Sequence, residues 1–175
     1  NGRIGLNVVA GWNKPEYDAF GVDLPSDHSD RYAMAQEWFE YVQKLWTCDT
    51  AFDWEGNFYQ GKGVYSLPHP VQPKMPIINA AGSEEGRVFA MRNADFLFTP
   101  VFDFDQAKAT VADITERAAS VKRKVDVLTF CTVVCRPTQQ EADDYLHWYA
   151  DEQADWNAVD NLMTLQGMHA QSFTA

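Results

Sequence analysis

The sequence predicts an α/β fold with a parallel sheet. Strand-like and helix-like segments alternate along the chain, which requires parallel strands joined by crossover helices. Residues 30–47 place Ala35, Trp38, Phe39, Val42, Leu45 and Trp46 at three- and four-residue spacing, one apolar stripe on a long helix. Four strand segments, apart from a short hairpin, can be read along the 175 residues. A closed eight-unit barrel needs roughly 250, so the chain is a small doubly wound domain or about half of a barrel.

The elements follow in order. Residues 4–10 (Ile-Gly-Leu-Asn-Val-Val-Ala) form the first strand, and Gly11 to about Ser29, rich in Gly, Pro and Asp, is a loop. After the helix at 30–47, residues 51–75 read as an irregular insertion with a short hairpin around Phe58-Tyr59 and Val64-Tyr65. Four prolines, Pro68, Pro70, Pro73 and Pro76, keep the next stretch extended. Strands follow at 76–81, 95–100 and 126–135, with helices at 84–94 and 105–121 between them. Thr138 and Glu141 form a T-x-x-E capping box that starts a further helix, and another lies near 155–166 with Trp156, Val159, Leu162 and Met163 on its apolar side.

Charge excludes several functions. The 14 Lys and Arg against 25 Asp and Glu give a net charge of −11. That argues against nucleic-acid binding, which needs clustered cations, and against docking on anionic membranes. No apolar run is long enough to span a bilayer. Three cysteines, Cys48, Cys131 and Cys135, lack both disulfide and zinc spacing, and four scattered histidines lack metal spacing. The spacing of Cys131 and Cys135 puts both on one face of the strand at 126–135, as small buried hydrophobes in a reducing cytoplasm. The chain has no initiator Met, begins almost directly in a strand and stops after a polar stretch at 166–175, which reads as an internal piece of a longer protein.

Three places carry candidate chemistry. Asn7 interrupts an apolar strand, and as a buried amide it needs either a ligand or neighbouring backbone as partner. Gly82-Ser83-Glu84-Glu85-Gly86 opens a helix directly after a strand. Ser83 there is either an ordinary helix cap or a phosphate ligand beside unpaired N–H groups. Arg31-Tyr32 offers a guanidinium fork and a phenol, with pairing of Arg31 to Asp27 or Asp30 as the plainer reading. Glu16 has no signature of its own.

Taken together, Gly5–Glu16 (GLNVVAGWNKPE), Asp30-Arg31-Tyr32, Phe52–Phe58 (FDWEGNF) and Asn79-Ala-Ala-Gly-Ser83 resemble the bacterial luciferase-like flavin monooxygenases. The resemblance is strongest to the branch of dimethylsulfone, alkanesulfonate and pyrimidine monooxygenases. Val133–Thr138 and Ala154–Val159 are similar to the dimethylsulfone type. The resemblance implies a (β/α)8 barrel of the TIM type, of which 1–175 is part of one domain, carrying strands four to seven with 51–75 as an insertion. It implies FMN bound by Asn7, Glu16, Arg31, Tyr32 and Ser83, with Ser83 and Arg31 at the phosphate and Asn7 and Tyr32 at the ring or ribityl chain. It implies a two-component enzyme: an NAD(P)H-dependent flavin reductase supplies reduced FMN, molecular oxygen adds to form a flavin peroxide, and a small organic substrate is oxygenated, in a homo-oligomer. Sulfonate members carry an Arg and a His where this chain has Phe130 and Thr132. An uncharged substrate wall there favours a neutral organosulfur compound over a sulfonate. The alternatives are a pyrimidine or alkanesulfonate monooxygenase, a deazaflavin-dependent oxidoreductase on the same barrel, and a non-enzymatic flavin-binding protein.

Overall fold

The computed structural model describes residues 2–101 and 103–165. The chain divides into two compact units, Asn1–Thr129 and Phe130–Ala175.

The first unit is built on a parallel sheet. Strands β1 (Leu6–Val8), β4 (Ile77–Asn79), β5 (Phe96–Phe98) and β6 (Asp126–Leu128) pair in that order, all parallel. Helices α2 (His28–Thr47), α3 (Glu84–Asn93) and α4 (Phe104–Ser120) connect them. Alternate strand residues face opposite sides. Val8, Ile77 and Leu97 point to the helices and form the core with Phe39 of α2, Phe89, Ala90 and Met91 of α3, and Ile114 and Ala118 of α4. Phe39 and Leu97 are each buried, worth about 1.5–3 kcal/mol apiece.

Each crossover helix starts on a capping side chain. Asp27 accepts from Ser29 N–H at the head of α2, Ser83 from Gly86 N–H at α3, and Asp103 from Gln106 N–H at α4. The stripe expected on α2 is the one that packs: Ala35 and Phe39 are buried, and Trp38 and Trp46 lie against the core.

Four expectations for these segments need correction. The stretch from Gly11 to Ser29 is not all loop: α1 (Lys14–Phe20) lies within it, with Pro at its first turn and a left-handed Gly21 at its end. The hairpin expected within 51–75 forms but is displaced. Its strands are β2 (Phe52–Glu55) and β3 (Gln60–Val64), and Phe58-Tyr59 is its turn. The reason is Glu37 of α2, whose carboxylate accepts from the N–H groups of Asn57, Phe58 and Tyr59, so these cannot join a ladder. The strand expected at 126–135 stops at Leu128, because its partner β5 stops at Phe98. Asn7 is exposed rather than buried, on the face opposite Val8.

The second unit holds α5 (Gln139–His147), a π-helical turn at Trp148–Glu152 and α6 (Trp156–Leu165). The capping box is formed: Thr138 accepts from Glu141 N–H, and the Glu141 carboxylate accepts from Thr138 N–H at 3.0 Å. None of its described residues is buried, and Trp156, Val159, Leu162 and Met163 of α6 are exposed. Cys131 and Cys135 are likewise exposed and outside any strand, against the expectation of burial. The polar stretch 166–175 lies outside the described residues. Among the described residues no helix is long and apolar enough to cross a membrane.

Candidate functional site

Two of the three candidate places meet at the C-terminal end of β4. The chain leaves the sheet at Asn79 and enters α3 at Ser83, while the start of α2 brings His28, Arg31 and Tyr32 alongside. The three- and four-residue spacing from His28 puts Arg31 and Tyr32 on one helix face with it.

A line of hydrogen bonds joins them. Arg31 Nη2 donates to His28 Nδ1 at 2.7 Å, and His28 Nε2 lies 2.7 Å from Ser83 Oγ. Arg31 Nη1 donates to the Pro25 carbonyl at 3.2 Å. Asp27 Oδ1 accepts from Ser29, which with the nearby Arg31 charge holds the Asp27 carboxyl below the ordinary range. The Arg31 Nε–H is buried without a partner.

Tyr32 points inward. Its ring meets His28 edge-on, with centroids 5.2 Å apart. Burial pushes its phenol above the ordinary tyrosine range, and hydrogen bonds with Ser83 and Asn79 pull partly against that. Asn79, 1% exposed, donates from Nδ2 to the Val8 carbonyl at 2.7 Å. Gly86 makes this packing possible: a Cβ there would stand 2.4 Å from both the Tyr32 hydroxyl and the Ala81 side chain.

The arrangement suits an anion. Ser83 Oγ receives Gly86 N–H at 3.2 Å, and the first amides of α3 lie outside the helix's own ladder. Those amides, the helix dipole, the Ser83 hydroxyl and the unmatched Arg31 Nε–H make a donor-rich set carrying one positive charge. The nearby carboxylates divide. Glu84 is turned away into a two-pronged pair with Arg117, which holds its carboxyl below the ordinary range, whereas Glu85 stays 3.6 Å from His28 Nε2.

Asn7 and Glu16 have other neighbours within the first unit. Asn7 lines a cavity of about 240 Å³ with Tyr17, Met34, Trp38 and Tyr59. Glu16 is in the first turn of α1, exposed, and accepts from Asn13 Nδ2 at 2.8 Å. Phe130 and Thr132 are exposed residues of the second unit, beyond the end of β6. A cavity of about 570 Å³ between α2, the hairpin turn and α3 is lined by Glu37, Glu40, Glu84 and Glu85 together with Arg92. Sequence reasoning passed over His28 and Asn79. The first was visible in its helical spacing to Arg31, the second only as a polar residue ending a strand.

A parallel sheet with crossover helices, in which α3 starts just after the carboxyl end of β4, is an α/β architecture, and in this class ligands bind at the carboxyl ends of the strands. The family is more specific: residues 1–173 match the luciferase-like monooxygenase model, and the chain belongs to that family. The FMNH(2)-dependent dimethylsulfone monooxygenase of Pseudomonas putida is 34% identical over 142 residues, covering 81% of this chain and 39% of the relative. The pyrimidine monooxygenase RutA of Acinetobacter baylyi is 30% identical over 177 residues, covering 98% of this chain and 47% of the relative. Among solved structures, a riboflavin lyase with modified FMN and riboflavin superposes with a TM-score of 0.75 at 27% identity, covering 83% of this chain and 38% of that one. The chain thus spans between about two fifths and a half of the length of the curated relatives it matches.

Proposed function

We propose that this chain is part of a two-component monooxygenase that takes reduced FMN and oxygenates a small organosulfur compound of the dimethylsulfone kind. The observation that carries the reading is the donor set at the start of α3. Arg31, Ser83 and the α3 amides fit a phosphate monoester, and the buried Nε–H of Arg31 lacks the acceptor such a group brings. The name of the Pseudomonas relative supports both the cofactor and the substrate class.

When bound, reduced FMN supplies the electrons that activate dioxygen. The chain's own residues do the rest. Arg31 balances phosphate charge through a planar fork. Ser83 would give a hydrogen bond from its hydroxyl to a phosphate oxygen. Tyr32, against Ser83, belongs to this phosphate end rather than to the ring. Asn7 and Glu16 are assigned to the flavin beyond the phosphate, and Phe130 and Thr132 to an uncharged substrate wall. The sheet is read as strands four to seven of a (β/α)8 barrel, with both units in one domain, since the family match runs across both. A separate NAD(P)H-dependent reductase and a homo-oligomeric assembly complete the proposal. The second reading is a pyrimidine substrate, favoured by the Acinetobacter relative, which aligns over nearly the whole chain.

The test is an anaerobic titration of the full chain with reduced FMN, followed by aerobic turnover with a flavin reductase and either dimethylsulfone or a pyrimidine. Saturable binding weakened by Ser83→Ala, and consumption of dimethylsulfone alone, is the expected result. Binding indifferent to Ser83→Ala would overturn the phosphate placement, and consumption of the pyrimidine alone would transfer the substrate to the second reading.

A further inference from the structure

We propose that His28 is a positioning residue that sets both phosphate ligands at once, aligning Arg31 and fixing Ser83 as a hydrogen-bond donor. The inference rests on the FMN reading above. His28 need not touch the phosphate to do this.

The two ring nitrogens have opposite duties. Arginine carries no acceptor, so His28 Nδ1 must accept from Arg31 Nη2 at 2.7 Å. A neutral imidazole then holds its proton on Nε2, which donates to Ser83 Oγ at 2.7 Å. Ser83 Oγ also accepts from Gly86 N–H at 3.2 Å. Both acceptor directions of the hydroxyl are therefore occupied, and what Ser83 has left is its own proton. That proton can go to the Tyr32 oxygen beside it or to an anion at the start of α3.

Remove the imidazole nitrogens and each ligand loosens. Ser83 regains a free lone pair, and its hydroxyl can rotate to accept instead of donate. Arg31 keeps one anchor, the Pro25 carbonyl at 3.2 Å. Glu85 competes for the Nε2 proton, but at 3.6 Å it is farther than Ser83. The Tyr32 ring, edge-on at 5.2 Å, keeps the imidazole in place from the side.

The test compares FMN with riboflavin, which lacks the phosphate, by equilibrium binding to the full chain. His28→Phe preserves a ring against Tyr32 and removes both nitrogens. His28→Gln keeps one acceptor and one donor. The expected result is that His28→Phe weakens FMN binding by about ten- to a hundredfold, as loss of charge-assisted hydrogen bonding does, and leaves riboflavin unchanged. His28→Gln should recover most of the loss. An equal loss for both flavins, or none for either, overturns the role of His28. Should the Phe variant not fold, His28→Asn, too short to reach both partners, carries the same comparison. Wild-type protein that binds FMN no more tightly than riboflavin overturns the phosphate placement itself. That failure is read without any variant and so is distinct from failure of the His28 role.

Discussion

At the middle of α2, the Glu37 carboxylate accepts from Asn57, Phe58 and Tyr59 N–H at 2.9, 3.0 and 2.8 Å, and from Trp54 Nε1 at 3.3 Å. Two turns earlier, at the head of the same helix, Arg31 gives two hydrogen bonds and leaves Nε–H buried without an acceptor. One helix thus carries two charged side chains in opposite situations. The negative one is fully matched by the chain's own backbone and holds a hairpin turn. The positive one is matched only in part, beside a serine with a proton to give. A matched charge marks structure, and a partly matched one in a donor-rich pocket marks a place for something else to bind.

The strongest way to break the contrast is to remove what both ends share. Phe39, two residues past Glu37 and 1% exposed, packs α2 onto the core, with its ring 6.1 Å from that of Phe89. Phe39→Ala should cost about 3–5 kcal/mol, measured by denaturant unfolding, and weaken both ends together. Arg31→Ala should act at one end only. It should weaken FMN binding by about ten- to a hundredfold while amide exchange at 57–59 stays as in the wild type. Gly86→Ala forces a methyl against Tyr32 and Ala81 and should cost about 1–3 kcal/mol, with FMN binding impaired and the hairpin untouched. Glu37→Gln is the mirror case. Hydrogen exchange at residues 57–59 should quicken by about fivefold, and FMN affinity should not change.

The smallest effect sharpens the comparison through pH. Burial pushes the Glu37 carboxyl up, but hydrogen bonds from Tyr59, Phe58, Trp54 and Asn57 outweigh it and hold it below the ordinary carboxylate range. A depressed folded value means the clamp contributes stability above the unfolded carboxylate value, near pH ~4.3. That contribution is lost as pH falls through the folded value. The chemical shifts of the 57–59 amides should therefore hold steady through the ordinary glutamate range and move only below it. Movement centred at the ordinary value would show that the carboxylate is not clamped.

Much of this was legible in the sequence, for local reasons. The stripe on α2, the Ser83 cap and the Thr138–Glu141 box depend on neighbours within one or two turns. The signals of α1 were also present, Pro15 at its start and Gly21 after its end, but a run rich in Gly, Pro and Asp masked them. What the sequence could not show depends on partners far along the chain. The length of β6 is set by β5, and the displacement of the hairpin by a carboxylate about 20 residues upstream. Around His28, the side chains of Arg31, Tyr32 and Ser83 are neighbours, whereas Asn7 lines a cavity with Tyr17 and Trp38 and Glu16 bonds Asn13. His28 escaped notice because a histidine declares itself only through what each ring nitrogen faces. One of those partners, Ser83, lies 55 residues away.

The Glu37 clamp also bears on how this hairpin could be replaced. A surface hairpin is ordinarily a module that evolution or an engineer can replace freely. Here a Cβ at Gly56 would stand within 1.8 Å of a Glu37 oxygen, and three successive backbone donors converge on that carboxylate. A grafted loop must therefore bring a small residue and a donor-rich turn in the same register, or arrive together with a change at position 37. In this chain the hairpin and α2 are coupled through that one carboxylate.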